Sequence, residues 1–266
     1  MKIATWNINS VRLRIDLVTR FLDEERPDVL CLQEIKCRDD QFPAKAFAAA
    51  GYPHCAVLGQ KGYHGVAIVA RAPLSDVETL KFCGKDDSRH IAATANGVRI
   101  HNFYVPAGGD EPDPDVNEKF AHKLFFMREM AAWSQDAIGR KKAVLAGDLN
   151  IAPREHDVWS HKQLLDVVSH TPVEVDLMNR AIASAKWIDV AREVIPEPEK
   201  IYTWWSYRAF DWRASNRGRR LDHLWVSPAL KKPATAKGRD AFRVHDRCRG
   251  WDKPSDHAPV TLELAL

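Results

Sequence analysis

The chain has no apolar run long enough to span a bilayer, which sets aside a helical membrane protein and a membrane partner. It enters a strand-like run at residue 2, and no secretory leader is visible, so the expectation is a cytoplasmic protein. Cysteine is scarce. The five residues Cys31, Cys37, Cys55, Cys83 and Cys248 are odd in number and lack Cys-x-x-Cys spacing. That argues against a zinc knuckle and fits reduced thiols in the cytosol. No Ser or Cys stands partnered to a base, so an acyl-enzyme mechanism suits the chain poorly. Repeats, low-complexity tracts and dividing linkers are also missing, and the 266 residues are expected to form one domain, 1–266, and to act as a monomer.

Net charge is only +3, too little to argue from, but its distribution is uneven. From Ile201 onward, Arg and Lys outnumber Asp and Glu by 13 to 7. Within that stretch Arg208, Arg213, Arg217, Arg219 and Arg220 alternate with Trp204, Trp205, Tyr207, Phe210 and Trp212. Basic residues among aromatics suit a nucleic-acid backbone and unstacked bases. They equally suit a solvated basic loop with a few core aromatics.

Periodicity predicts strands over 2–5, 29–32, 66–70, 91–94, 98–104, 143–146, 224–226 and 260–264. It predicts helices on the stripes Leu13-Leu17-Phe21, residues 44–50, Phe120-Leu124-Met127-Ala131 and Val175-Met178-Ile182-Ala185. Asn96-Gly97 signals a hairpin. Strands before, between and after helices indicate helices covering a sheet or a pair of sheets.

Six polar clusters lie at or just beyond strand-like runs: Trp6-Asn7-Ile8-Asn9, Leu32-Gln33-Glu34, Phe103-Tyr104-Val105-Pro106, Gly147-Asp148-Leu149-Asn150, Arg220-Leu221-Asp222-His223 and Ser255-Asp256-His257. Asn7 and Asn9 are two apart, as are Asp148 and Asn150, and in an extended chain such pairs share a face. Alone, Asn7 and Asn9 fit a turn better than a site, and the Gly-Asp-x-Asn element fits either. An Asp148 carboxylate could take a proton from water while the Asn150 amide holds that water. Glu34 at a strand end could bind Mg²⁺, which takes one or two protein carboxylates, although a surface salt bridge explains it as well. Asp222 in an apolar strand needs a partner, because an unpaired buried charge is costly. His257, flanked by Pro254 and Pro259, is the natural one, and the His⁺ so held could donate to a phosphate oxygen. Tyr104 could reach a phosphate or simply be a core residue. His156, His161, His170 and His223 read as structural or surface residues. Together the clusters suit a metal ion and an activated water attacking a phosphate ester.

In order and spacing these residues resemble the exodeoxyribonuclease III family of the endonuclease/exonuclease/phosphatase superfamily. The likeness runs nearly end to end. It adds Gln60-Lys61-Gly62, Gly65-Val66-Ala67, Ile151-Ala152-Pro153, Asn216-Arg217-Gly218 and Lys253-Pro254-Ser255-Asp256-His257-Ala258-Pro259 to the clusters above. The resemblance implies an α/β (α+β) four-layered sandwich, deoxyribonuclease I-like, with two mixed β-sheets packed face to face between helices. It implies a Mg²⁺- or Mn²⁺-dependent nuclease on double-stranded DNA, incising 5′ to abasic sites and digesting from 3′ ends. By the same resemblance Glu34 would be the metal carboxylate, with Asn7 beside it and Asp256 supporting the region. Asp148 would activate the water and Asn150 orient it. His257, held by Asp222, would stabilise the charged phosphorane, and Tyr104 would touch the phosphate. Trp204, Asn216, Arg217, Arg219 and Leu221 would meet DNA.

Three departures bear on the substrate. Ala107 stands where the family often has an amide that contacts the DNA backbone. Arg219 stands where an apolar residue usually lines the pocket for the base-less sugar, beside Trp204 and Leu221. The loop over 208–215 is one residue longer than usual. A phosphatase or phospholipase of the same superfamily, acting on inositol phosphates or sphingomyelin, would share Glu34, Asp148, Asn150 and His257 but lack Asn-Arg-Gly. A non-catalytic DNA-binding relative would be expected to lose one of those four residues, and all are present.

Overall fold

The computed structural model describes residues 1–137 and 141–266. Its strands are β1 (Lys2–Asn7), β2 (Val29–Gln33), β3 (His54–Leu58), β4 (Val66–Ala70), β5 (Ser75–Thr79), β6 (His90–Ala95), β7 (Val98–Tyr104), β8 (Ala143–Asp148), β9 (Ile188–Asp189), β10 (Trp204–Trp205), β11 (Gly218–Arg219), β12 (Asp222–Val226), β13 (Phe242–Val244) and β14 (Val260–Glu263). The helices are α1 (Ile15–Glu25), α2 (Ala44–Ala49), α3 (Glu118–Ala137), α4 (His161–Leu164), α5 (Pro172–Ser184), α6 (Val190–Val194), α7 (Trp212–Ser215) and α8 (Lys231–Thr235).

Two six-stranded sheets result, ordered β13-β14-β1-β2-β4-β3 and β5-β6-β7-β8-β12-β9. Each is mixed. The pairs β1/β2 and β7/β8 are parallel, and their other neighbours run antiparallel. Side-chain alternation explains the layers. Ile3, Val29, Cys31 and Ile68 of the first sheet pack against Ile100, Val144, Ala146 and Leu224 of the second. The opposite face of the first sheet, with Ala4, Trp6, Leu30 and Leu32, is covered by Val18, Phe21 and Leu22 of α1 and Phe47 of α2. That of the second, with Phe103, Leu145 and Trp225, is covered by Phe120, Met127 and Met130 of α3 and by Leu177 and Met178 of α5. The expected four-layered sandwich is therefore present.

The inward-facing residues change character along each central strand. Ile3 gives way to Thr5 and Asn7, Cys31 to Gln33, Ile100 to Asn102 and Tyr104, Ala146 to Asp148, and Leu224 to Asp222. All these polar ends meet at one rim. Just below it, Gln33 Nε2 donates across the gap to Asn102 Oδ1 (2.7 Å), and Asn102 Nδ2 donates to Leu32 O (3.0 Å) and Ala67 O (2.9 Å). These bonds tie the two sheets together where apolar packing ends.

Asn96-Gly97 forms the expected hairpin turn, with φ of 49° and 75°. Sequence periodicity missed β3, β5 and β13, and also the two-residue strands β9, β10 and β11. Strand β5 is exposed at every position, and β13 is three residues at a sheet edge, so neither carries an alternating apolar pattern.

Candidate active site

The rim is built by register. Tyr104 pairs with Asp148 across the parallel β7/β8 ladder, Asp222 pairs with Asp148 across β12/β8, and Asn7 pairs with Gln33 across β1/β2. Gly147 is required at its place: its φ is 145°, and a Cβ there would lie 1.9 Å from the Phe103 carbonyl oxygen of the neighbouring strand. The asparagine pairs do not converge by extended alternation. Asn9 and Asn150 are left-handed, with φ of 49° and 53°, so each chain turns back on itself. The Asn9 amide N–H donates to Asn7 Oδ1 (3.1 Å), and the Asn150 amide N–H to Asp148 Oδ1 (2.9 Å). The Asn7 and Asp148 side chains thus make the same side-chain-to-backbone turn, a geometry that Asn and Asp favour. Glu34 follows β2 with φ 49°, so the ends of three parallel-paired strands are all left-handed.

Asp148 is the centre of the cluster. Its Oδ2 accepts from Asn7 Nδ2 (2.8 Å) and Asn150 Nδ2 (3.2 Å), and lies 3.7 Å from His257 Nε2. His257 Nδ1 is 2.8 Å from Asp222 Oδ2, which also accepts from Thr203 Oγ1 (2.6 Å). Burial alone would strip the His257 proton, but Asp222 and Asp148 outweigh it and push the imidazole up to about 10. Burial likewise pushes the Asp148 carboxyl up, against the pull of the His257 charge. The result is a charged imidazole between two carboxylates that it neutralises in part.

Glu34 Oε1 accepts from Asn7 Nδ2 (2.9 Å) and from the Tyr104 hydroxyl (2.8 Å), while Oε2 pairs with Lys36 Nζ (2.8 Å). Burial works against its charge, yet Lys36 and these hydrogen bonds hold the carboxyl below its ordinary range. The Tyr104 phenol is pushed well up by burial and by Glu34 and Asp148, so it stays neutral and donates. Asp256 sits on the same side: it accepts from Trp204 Nε1 (3.0 Å) and Asn9 Nδ2 (3.3 Å), and Asn9 Oδ1 accepts from Lys36 Nζ (2.6 Å).

A hard divalent cation fits this oxygen-rich corner, where an ammonium already bridges Glu34 and Asn9. Asn7, as placed, turns its amide hydrogens toward Glu34 and Asp148 and its oxygen toward Asn9. Asp148, Asp222 and His257 also bring one potential ligand atom each within 4.8 Å of one another. Within that trio His257 Nδ1 is engaged by Asp222, which holds the ring in a carboxylate–imidazole pair.

The other expected contacts lie on the flank. Residues 203–205 run beside 256–258, with Trp205 N–H donating to Asp256 O (3.0 Å) and Ala258 N–H to Thr203 O (2.7 Å), which sets Trp204 next to His257. Leu221 packs with Ala152, Val158 and Leu164, partly roofed by Trp159 and Trp204. Arg219 lies 5.3 Å over the Trp204 ring, and its Nη1 donates to Val168 O (2.9 Å) and Ser169 Oγ (2.7 Å). Arg217 lies over Trp159, and Asn216 Oδ1 accepts from Trp205 Nε1 (3.2 Å), both farther out on the exposed side. Sequence reasoning missed Lys36, Thr203 and Lys123. Lys123 alone left a signal, a charge on the apolar stripe of α3 three residues after Phe120.

A two-sheet sandwich with carboxylates, amides and a charged imidazole gathered at one rim defines a metal-assisted phosphoesterase. The chain belongs to the endonuclease/exonuclease/phosphatase family, whose model matches residues 4–257. It is 29% identical over 272 residues to an exodeoxyribonuclease of Bacillus subtilis, covering 100% of both chains. It is 30% identical over 268 residues to Recombination repair protein 1 of Drosophila melanogaster, of whose length it spans 37%. An AP endonuclease from Archaeoglobus fulgidus superposes with a TM-score of 0.92 at 32% identity, covering 100% of both chains. A 3′ phosphatase from Neisseria, bound to a product DNA hairpin, superposes at 0.89 with 36% identity and the same full coverage.

Proposed function

We propose that this chain is a divalent-metal-dependent DNA-repair nuclease that hydrolyses phosphodiester bonds in double-stranded DNA, incising 5′ to abasic sites and shortening 3′ ends. The observation that carries the reading is Asp148, a buried carboxylate bonded by two amides, 3.7 Å from the charged His257 and joined through Asn7 to Glu34. The exodeoxyribonuclease, AP endonuclease and 3′ phosphatase among its relatives support the substrate class.

In this reading Asp148 takes the proton from the attacking water, and Asn150, bonded to both oxygens of that carboxylate, fixes its plane and orients the water. His257 Nε2 is too far from Asp148 for a hydrogen bond, so its proton is available to a phosphate oxygen as charge builds there. Asp222 holds the ring and its charge. The neutral Tyr104 hydroxyl reaches the phosphate from beside Glu34. A Mg²⁺ or Mn²⁺ ion held by Glu34, with Asn7 and Asp256 adjacent, would add positive charge opposite the phosphate oxygens. Trp204, Asn216, Arg217, Arg219 and Leu221 form the DNA-facing flank. We read residues 1–266 as one catalytic domain, monomeric and cytoplasmic.

The test is a duplex oligonucleotide with one internal abasic-site analogue and labels on both strands, incubated with Mg²⁺, Mn²⁺ or EDTA. Metal-dependent nicking 5′ to the analogue is expected. Shortening of 3′ ends alone would make the protein chiefly an exonuclease, with Arg219 closing the recess beside Trp204. Intact DNA with both metals would overturn the reading.

A further inference from the structure

Behind the site lies a fully buried ion pair that the chemistry above does not use. Lys123 of α3 and Glu174 of α5 both have zero side-chain exposure, and their Nζ and Oε1 are 2.5 Å apart. Lys123 Nζ also donates to Asn150 O (2.8 Å) and Ala107 O (3.2 Å), so the ammonium grips both the turn after β8 and the loop after β7. Its stem is closely packed: a Cβ at Gly108 would lie 2.9 Å from Lys123 Cδ. Glu174 accepts from the backbone N–H groups of Ser169 (2.9 Å) and Thr171 (3.1 Å) and from Thr171 Oγ1 (2.7 Å). Ser169 Oγ in turn accepts from Arg219.

Stability does not call for such a pair. Burying two charges carries a desolvation penalty, and well-packed apolar replacements are often neutral or stabilising. What the pair supplies is a fixed point under Asn150, whose left-handed turn carries the donors that hold Asp148. We propose that Lys123 and Glu174 are positioning residues. They lock the Asn150 turn, and with it the Asp148 carboxylate, and through Ser169 they seat Arg219 on Trp204. The catalytic consequence rests on the nuclease reading; the structural consequence does not.

The test pairs two measurements on Lys123→Met/Glu174→Leu, a variant that removes both charges and so leaves neither unpaired. Amide hydrogen exchange reports the turn without any substrate. The Asn150 N–H should lose protection at least tenfold, while Leu30 in the core of β2 keeps its own. Steady-state cleavage with Mg²⁺ reports the chemistry: kcat should fall at least tenfold, with KM changed less than kcat. Ser169→Ala, which removes the side-chain acceptor of Arg219 and leaves the Val168 carbonyl, should raise KM and leave kcat within twofold. Parent-like exchange at Asn150, or uniform loss of protection across the chain, would overturn the proposal. So would parent-like kcat. If the Met/Leu variant does not fold at the assay temperature, Lys123→Gln/Glu174→Gln decides by the same exchange comparison. A parent protein inert on DNA would end the nuclease reading, while the exchange result would still decide the strut.

Discussion

The two faces of β12 treat a buried imidazole in opposite ways. On the inner face Asp222 meets His257, and on the outer face the next residue, His223, turns toward the helices. Both rings are buried, His257 at 5% exposure and His223 at 0%. His223 Nε2 lies 2.9 Å from Ile151 O, and burial together with the Arg220 charge pushes the ring down to about 4. His257 has two carboxylates and rises to about 10. Burial is the largest single influence on both rings and opposes charge on each. At His223 the Arg220 charge adds to it, whereas at His257 the carboxylates together outweigh it. One ring becomes a source of positive charge at the rim, and the other a neutral piece of core.

The largest expected break in this contrast comes from Asp148→Asn or His257→Ala. Each should lower kcat by on the order of 10²–10³ with the fold intact by circular dichroism, as removal of a donor or base at developing charge does elsewhere. Near-normal turnover by either purified variant would remove the inner face from the mechanism. Next is Asp222→Asn. Without that carboxylate the His257 proton is held less tightly, so the alkaline loss of activity should begin at lower pH than in the parent, and a pH–rate profile reads the shift directly. Glu34→Gln should act on metal dependence, raising the Mg²⁺ concentration for half-maximal rate by about an order of magnitude, since it removes the carboxylate best placed for a hard cation.

The smallest effect sharpens the comparison from the outer face. His223→Gln should leave kcat within twofold and change only stability. The sign follows from the two shifts. In EDTA, the contribution of His257 is fully present below its ordinary value of 6.5 and is lost as pH rises through about 10. That of His223 is present above 6.5 and is lost as pH falls toward about 4. Denaturant titrations of His223→Gln between these two values should therefore show a shallower acid loss than the parent. An unchanged slope would mean that His223 is charged in the native protein.

Much of the site could be read before the fold was known. Asp148, Asn150 and Asp222 stood out as polar residues in or just beyond apolar strands, and His257 as the imidazole of a Pro-flanked loop before the last strand. The Asp222–His257 pairing followed from the cost of an unpaired buried charge. Two things escaped. The expectation that Asn7/Asn9 and Asp148/Asn150 share a strand face was corrected by the left-handed turns at Asn9 and Asn150, because φ at a single residue leaves no period in a sequence. Lys36, Thr203 and Lys123 escaped because their partners are set by contacts between distant segments.

By itself the sequence determined the alternation that makes strands with apolar centres and polar ends, and the residue types able to carry phosphoester chemistry. These follow from local rules, since strand period and side-chain chemistry need no knowledge of the rest of the chain. Only the tertiary structure decided which polar ends share a rim, that His257 is charged while His223 is neutral, and that Arg219 lies on Trp204. Protonation and orientation in a buried site depend on the few groups within reach of each atom, and those groups come from strands and loops up to 251 residues apart, as in the bond from Trp6 to the His257 carbonyl.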